Sequence, residues 1–280
     1  MKSILISVSF LLLFCTSVLA DTALIYHSNY SDAHTNVKSQ LEADGYTVTL
    51  STTGTVHDNL RTHNIDGTSG GYDVVYDMKY NNNIGSNGKD RYQAFIQNGG
   101  VLLLVGENQV SYANTNNTIA AFINNKAGGS MTILGTTGGG NCGNDCNITQ
   151  TNTDVTDSNY TSVGVYPYGA YFSGDGTWVA KSTSGKVLWM RWSGSELNSG
   201  YTGAVYVTFD INQFTSSYDG TQMSNLISDT YSNFLSASTP TSGISSTQTT
   251  EFNTFRNKSV NGNQIYVNQT GDNNVLNILQ

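Results

Sequence analysis

Charged side chains are scarce in this sequence: Asp, Glu, Lys and Arg together make up 11% of its 280 residues. Acidic residues outnumber basic ones by 20 to 12, which gives a formal net charge of -8 at pH 7. A chain with so few cations has no basic patch to neutralise phosphates, which argues against a nucleic-acid partner. Asn, Ser, Thr, Gly and Tyr are abundant instead, and this composition is common in extracellular adhesive and fibre-associated proteins.

Long hydrophobic runs are also missing. The most apolar stretch, residues 4–14, is too short to span a bilayer comfortably, and no later segment comes close, so we expect no membrane span. Lys2 precedes this stretch, and the small residues 18–20 follow it just before Asp21. This arrangement is typical of a secretory signal peptide. It predicts export to the periplasm, the extracellular space or the cell surface.

Cysteine is rare, with three in the chain, and Cys15 belongs to the predicted signal peptide. The mature chain would keep Cys142 and Cys146, with three residues between them. In an oxidising compartment this pair predicts a disulfide that closes a small loop. Zinc binding needs more ligands than two thiolates, and no histidine lies nearby in sequence. We therefore expect neither a metal site nor a cofactor.

The first half of the body alternates between strand and helix patterns. Residues 101–105, Val-Leu-Leu-Leu-Val, form the continuous aliphatic run that a central parallel strand requires. The other predicted strands are 23–26, 46–50 and 72–76, and helices are predicted at 89–98 and 119–123. Strands that alternate with helices predict an α/β fold, with a parallel sheet and helices on both of its faces.

The pattern changes between about residues 128 and 200. Short apolar runs there lie between Gly, Ser and Asn turns, which predicts an inserted β-hairpin region. A buried strand at 203–210 and an amphipathic helix from Met223 to Leu235 complete the body. The predicted organisation is a signal peptide at 1–20, an α/β domain at 21–237, a Ser/Thr-rich linker at 238–260 and a C-terminal strand–turn–strand at 261–280.

The body resembles the class I glutamine amidotransferase-like, flavodoxin-like fold over residues 22–237. The segments that carry the resemblance are Tyr-Asp-Val-Val-Tyr-Asp-Met at 72–78, Asn-Gly-Gly-Val-Leu-Leu-Leu-Val-Gly-Glu-Asn at 98–108 and Gly-Ala-Val-Tyr-Val-Thr-Phe-Asp at 203–210. The family places a nucleophilic Cys on the elbow after a central strand, where this chain has Glu107.

The family's catalytic base is also missing from its place. A His–Glu pair should follow a later strand, whereas the histidines here all come early, at His27, His34, His57 and His63. Thiol chemistry therefore lacks both of its partners. The resemblance implies the fold without its catalytic residues, and we expect a pseudoenzyme rather than an enzyme.

Polar residues at the ends of the predicted strands mark a possible ligand cleft, because open α/β sheets bind ligands beyond the carboxyl ends of their strands. Glu107 with Asp77 would supply paired carboxylates, and Glu107 with Asp210 would supply oxygen ligands for a cation. The alternative is structural: Glu107 caps the following turn, and Asp77 pairs with Lys79. The candidate residues are His27, Asp77, Lys79, Glu107, Asn108 and Asp210.

Aromatic residues crowd the hairpin region, and they have two interpretations. They would stack on a surface glycan, or they would fill the cores of the hairpins. The residues concerned are Tyr166, Tyr168, Tyr171, Phe172, Trp178, Trp189 and Trp192.

The C-terminal segment contains one seven-residue pattern twice. Residues 263–269 and 274–280 both read Asn-x-apolar-x-apolar-x-Gln, and residues 270–273 separate them. Period-2 alternation puts the Asn, both aliphatic residues and the Gln of each arm on one face of a strand. A lone hairpin is marginal in water, so this element predicts a partner. The partner-binding residues would be Asn263, Ile265, Val267, Gln269, Gly271, Asn274, Leu276, Ile278 and Gln280.

Residues 269–280 resemble the curlin repeat of bacterial curli fibres, Gln-x-Gly-x-x-Asn-x-Ala-x-x-x-Gln. Asn263 stands where that family has Ser, and Leu276 stands where it has Ala. The resemblance implies an exported, non-catalytic protein that joins a curli-like β-fibre through one C-terminal rung, or that self-associates through it. The alternative is a secreted carbohydrate- or cation-binding protein, or a degenerate hydrolase, whose tail is an export tag or a folded-back hairpin.

Overall fold

The computed structural model describes residues 21–53, 71–138 and 142–237, and the short strands 266–268 and 277–279. The predicted signal peptide and the predicted linker lie outside these residues. No helix among the described residues is long and apolar enough to cross a membrane.

The described residues form strands in the order that the α/β pattern predicts. In the body the strands are β1 Thr22–His27, β2 Thr47–Ser51, β3 Val74–Met78, β4 Val101–Val105, β5 Met131–Thr136, β6 Asn147–Thr151, β7 Gly164–Val165, β8 Ala170–Gly174, β9 Thr177–Ser182, β10 Val187–Ser193 and β11 Ala204–Thr208. The C-terminal strands are β12 Tyr266–Asn268 and β13 Asn277–Leu279. The helices are α1 Ala33–Ala43, α2 Ser86–Gln97, α3 Ala113–Phe122, which a π-helical turn extends through Ile123–Ala127, and α4 Met223–Ala237.

The central sheet of the described body has the strand order β2-β1-β3-β4-β11-β10-β9-β6-β7. Its first five strands are parallel. Counted along the chain, these five have the order 2-1-3-4-5 of flavodoxin-like sheets. Helices alternate with strands through this half, and the predicted α/β class is confirmed.

Helices cover both faces of the parallel half, as two neighbouring residues of β3 show. The hydroxyls of Tyr76 and Thr230 on α4 are hydrogen-bonded at 2.9 Å. The next residue, Asp77, accepts a hydrogen bond from Tyr92 on α2. Because successive strand residues point to opposite faces, α4 and α2 lie on opposite sides of the sheet.

The region expected to be an inserted set of hairpins is instead largely part of the central sheet. Strands β10, β9, β6 and β7 continue it in antiparallel fashion beyond β11. Only β5 and β8 form a separate two-stranded ribbon within the described body. The expectation of a parallel sheet was therefore incomplete, because the edge of β11 is paired and covered by β10 rather than left open.

The core lies between the sheet and its helices. All five residues of β4 are buried, as are Tyr92, Phe95 and Ile96 on the inner side of α2. Most of the crowded aromatic residues also belong to the core: Tyr166, Phe172, Trp189 and Trp192 are at most 1% exposed. These four rings therefore support packing, and they are not a glycan platform.

The two C-terminal strands pair with each other. Strand β12 is antiparallel to β13, and Val267 lies directly opposite Ile278. Both positions belong to the apolar positions of the repeated pattern. The pair is a two-stranded sheet, so each strand has one paired edge and one outer edge.

Candidate functional site

Strand order brings the predicted cleft residues to one edge of the sheet. Strands β1, β3, β4 and β11 are consecutive neighbours and run parallel. Their carboxyl ends therefore meet at the same edge. The polar residues at or just beyond these ends are His27, Asp77, Glu107 and Asp210.

The turn after β4 holds Glu107 by its backbone. Asn116 on α3 is fully buried; its Oδ1 accepts from the Glu107 N–H at 3.1 Å, and its Nδ2 donates to the Glu107 carbonyl at 2.6 Å. The Glu107 side chain accepts from the Asn108 N–H at 3.1 Å. The Asn108 side chain in turn accepts from the Ser111 N–H at 2.7 Å. Glu107 and Asn108 thus cap the turn, as the structural alternative has it.

Asp210 is fully buried and saturated with hydrogen bonds. Its Oδ1 accepts from the backbone N–H and from Nδ2 of Asn212, both at 2.8 Å, and its Oδ2 accepts from the Tyr168 N–H at 2.8 Å. Asn212 also accepts a hydrogen bond from the Tyr30 hydroxyl at 2.6 Å. Asp210 therefore ties the loop after β11 to the loop before β8, and through Asn212 to the loop after β1.

Glu107 and Asp210 form a carboxylate pair in low-dielectric surroundings. Burial, and then the neighbouring Asp210 charge, raise the pKa of Glu107 to about 8. Burial also raises the pKa of Asp210, to about 6, against the hydrogen bonds that favour its charged form. At neutral pH Glu107 therefore keeps its proton, and the pair carries about one negative charge.

Asp77 lies apart from this pair. It accepts a hydrogen bond from the Tyr92 hydroxyl at 2.7 Å and one from the backbone N–H of Lys79 at 3.0 Å. Burial raises its pKa to about 6. The Lys79 ammonium donates elsewhere, to the Thr52 carbonyl at 2.6 Å and to the Tyr26 hydroxyl at 3.3 Å. The structure thus pairs Glu107 with Asp210 electrostatically, while Asp77 joins Lys79 through the backbone.

A cleft of about 240 Å³ opens beside Asp77. We call it the Asp77 cleft; its walls are Tyr26, Asp77, Lys79, Asn82, Asn83 and the first turn of α2 with the loop that leads into it. Charges of both signs and two amides line it, so it offers donors and acceptors to a polar ligand.

His27 belongs to a third group, in the turn from β1 to α1. Its ring stacks on His34 with centroids 4.0 Å apart, and its Nδ1 accepts from the Asn29 N–H at 3.2 Å. Burial, and then the neighbouring His34 and Lys79, lower the pKa of His27. Asn29 and Ser31 have positive φ angles of 60° and 47°, a backbone conformation that non-glycine residues rarely adopt. His57 and His63 lie outside the described residues.

Three tyrosines that the sequence reasoning missed lie beside these groups. Tyr80 makes edge-to-face contacts with Tyr30 and Tyr112, with centroids 5.3 and 5.4 Å apart. We call these three half-buried rings the tyrosine row. Each follows the end of a parallel strand, β1, β3 or β4. Burial, and then the neighbouring Tyr112, raise the pKa of Tyr80 to about 12. The nearby Glu107 also contributes to this rise in the pKa of Tyr80. The sequence signal that could have predicted these tyrosines is an aromatic residue shortly after the end of each parallel strand.

Metal ligands do not cluster in the described part of the chain: no three or more His, Cys, Asp or Glu side chains there are placed to share an ion. Cys142 and Cys146 lie in a different place, before β6. Their sulfurs are 1.94 Å apart, which confirms the predicted Cys142–Cys146 disulfide.

The fold and the site define an α/β protein with a polar, tyrosine-rimmed edge at the carboxyl ends of its parallel strands. No family model matches the chain, and no curated protein matches it in sequence. Among solved structures, the mmIFT52 N-terminal domain is similar with a TM-score of 0.53 and 12% identity, over 79% of this chain and 99% of that domain. This likeness shows the fold alone.

Two further solved structures are more distant. A ThuA-like protein from Bacteroides uniformis ATCC 8492 has a TM-score of 0.42 at 16% identity, over 77% of this chain and 91% of that one. The exo-beta-1,4-mannosidase Op5Man5 from Opitutaceae bacterium strain TAV5 has a TM-score of 0.37 at 11% identity, over 78% of this chain and 35% of that one. At these scores neither bears on function.

Proposed function

We propose that this chain is an exported, non-catalytic protein that attaches its α/β body to a curli-like β-fibre through its C-terminal strands. The observation that carries the proposal is the register of β12 and β13, in which Val267 lies opposite Ile278. Each is one of the two apolar positions in its arm of the duplicated pattern. Residues that lie opposite each other in paired strands belong to the same face, so this register brings one apolar position of each arm together.

The geometry of the strand pair supports addition to a fibre end. Both strands are edge strands, and an edge strand offers unpaired N–H and C=O groups to an incoming strand. One rung of this kind can join a stack, but the described residues hold no second rung that would bury its apolar face. The partner is therefore a multi-repeat β-fibre.

The proposal of a non-catalytic body is supported by the structural hydrogen bonds that its polar side chains accept at this edge of the sheet. Glu107 stands where an amidotransferase-like fold would carry its nucleophile, and its carboxyl accepts from the N–H groups of Asn108 and Ile211. Asp210 is likewise occupied by Asn212 and Tyr168. We assign the body to the amidotransferase-like fold without its catalytic activity. At the sheet edge where that family carries its catalytic residues, this chain uses its polar groups in structural hydrogen bonds.

The direct test removes the tail. The mature chain and a version that ends at Ser238 are mixed with preformed fibres of a multi-repeat curlin-type subunit, and each is sedimented. All core residues of the described chain lie between 23 and 231, so the shorter version should unfold at a similar temperature. We expect only the full chain to sediment with the fibres. Equal sedimentation of the two versions would refute the proposal.

A matched pair of tail variants tests the apolar stripe itself. Val267→Lys/Ile278→Lys and Asn268→Lys/Asn277→Lys each place two lysines directly opposite one another in the hairpin. Each variant therefore adds one cross-strand lysine pair, and the two pairs lie on opposite faces of the hairpin. We expect the first variant to lose fibre binding and the second to keep it. Sedimentation of the wild-type protein alone, with thioflavin binding, would indicate self-assembly instead.

A further inference from the structure

The Asp77 cleft has the size and the wall chemistry of a site for a small polar ligand. Its 240 Å³ is below the range of roughly 300–1,000 Å³ found for drug-sized ligands, so it suits a single sugar ring. Asp77 and Lys79 bring one charge of each sign, and Asn82 and Asn83 bring amides. Walls with balanced charge favour a neutral ligand, and mixed donors and acceptors match hydroxyl groups, which both donate and accept.

The cleft is built before any ligand arrives. The Ile84 N–H donates to the Thr118 hydroxyl at 3.0 Å, and the Thr115 hydroxyl donates to Asn83 Oδ1 at 3.2 Å. These two bonds fasten the loop between β3 and α2 onto α3. Because Thr115 uses the Asn83 oxygen, the NH₂ group of Asn83 is the part that a ligand would meet. A preformed site spends less binding free energy on ordering its own loops.

The tyrosine row lies at the same edge of the sheet as the cleft, beyond the carboxyl ends of the parallel strands. Tyr80 follows Lys79 directly in the chain, and its ring contacts Tyr30 on one side and Tyr112 on the other. Rings of this kind present apolar faces and a polar hydroxyl, a combination that suits the C–H faces and hydroxyl edges of sugar rings. The row would contact further sugar units beyond the one in the cleft.

We propose that the Asp77 cleft and the tyrosine row together bind a neutral oligosaccharide, with one sugar ring in the cleft and the following units along the row. The site lies in the body and goes beyond fibre attachment. It stands or falls independently of whether the C-terminal strands bind a fibre.

Calorimetric titration of the full mature chain tests this proposal. The probes are the neutral tetrasaccharides cellotetraose, mannotetraose and galactotetraose, their monosaccharides, and the acidic tetragalacturonate. We expect at least one neutral tetrasaccharide to bind more tightly than its monosaccharide. No binding by any neutral probe at millimolar concentration would overturn the proposal, and so would a preference for tetragalacturonate.

Variants locate the site. Tyr80→Ala and the exposed Asn82→Ala should each weaken binding of that tetrasaccharide about tenfold. Tyr112→Ala should remove the gain from chain length while leaving the monosaccharide affinity unchanged. Tyr72→Ala is the matched control, because this half-buried tyrosine comes just before β3, at the opposite edge of the sheet, and the variant should bind as the wild type does. Equal affinity of Tyr80→Ala, Asn82→Ala and the wild type would place the sugar elsewhere and overturn the assignment.

Discussion

Glu107 and Asp210 interact across the adjacent ends of β4 and β11, and the Asp210 charge adds to burial in raising the pKa of Glu107 to about 8. The two carboxyl groups also hold the structure together, in addition to this electrostatic interaction. Each carboxyl accepts backbone N–H groups from loops that meet at this edge of the sheet. Its titration therefore couples the protonation of the site to the stability of the fold.

The first prediction concerns pH. Above the ordinary pKa of a glutamic acid, the folded protein keeps a proton on Glu107 that the unfolded chain has lost. The free energy of unfolding should therefore fall as pH rises from about 5 to about 8. Glu107→Gln cannot titrate, so it should lose less stability over this interval, by on the order of 2 kcal/mol. Urea denaturation at both pH values measures the difference.

The control for this experiment is Glu42→Gln, which makes the same change on the surface of α1, in a residue paired with Lys38. Its stability should follow that of the wild type at both pH values. If the curve of Glu107→Gln ran parallel to that of the wild type, Glu107 would not hold its proton in the folded state.

The second prediction concerns Asn116, the buried amide that supports the elbow. It bonds to both backbone groups of Glu107, and its Nδ2 also donates to Gln109 Oε1 at 3.1 Å. Asn116→Ala leaves a buried N–H and a buried C=O without partners, and should cost about 2–4 kcal/mol of unfolding free energy. Asn117→Ala, one residue along on the exposed side of α3, should cost less than about 1 kcal/mol. Similar losses in the two variants would contradict this role.

The third prediction concerns close packing at Gly106. A Cβ at this position would overlap the ring of Phe209 and the side chain of Asn116. Gly106→Ala should therefore destabilise the fold by about 1–3 kcal/mol. Gly85→Ala is the matched control, because a Cβ there meets no atom within 4 Å. Thermal melting of both variants measures this effect, and we expect a large decrease in melting temperature for Gly106→Ala alone. A wild-type melting temperature for Gly106→Ala would show that the turn after β4 can accommodate a Cβ.

The fourth prediction concerns the disulfide. Cys142 and Cys146 are four positions apart, so their bond restricts only a short loop of the unfolded chain. The double variant Cys142→Ala/Cys146→Ala should lose about 2 kcal/mol and still fold cooperatively. Urea denaturation measures the loss. A chain that no longer folds without the bond would show that this loop organises β6 and its neighbours.

The local sequence pattern predicted secondary structure best where the segment is fully buried. Strand β4 occupies the five residues that its aliphatic run predicts, because a strand buried on both faces has no polar position. Helix α2 begins at Ser86, three residues before the predicted start at Lys89. Its first turn, Ser-Asn-Gly, has low helix propensity, and tertiary packing that buries Gly88 outweighs this preference.

The candidate site was predictable as an edge but not as a set of contacts. Residues at or just beyond the carboxyl ends of neighbouring parallel strands meet at one edge, and Asp77, Glu107 and Asp210 do so. Which carboxylates interact depends on which strands are neighbours and on the face to which each residue points. Asp77 points toward α2 and Tyr92, and this leaves Glu107 with Asp210. Tyr80 joins residues that lie 50 and 32 positions away in the chain, a relationship that no local pattern encodes.

By itself, then, the sequence determined the buried strands, the inner faces of the helices, the disulfide and the duplicated C-terminal pattern, because each follows from hydrophobic period or spacing along the chain. The tertiary structure alone decided the antiparallel extension beyond β11, the pairing of Glu107 with Asp210, and the contacts within the tyrosine row. These depend on strand order, which arises from long-range packing between segments whose local patterns are compatible with several neighbours.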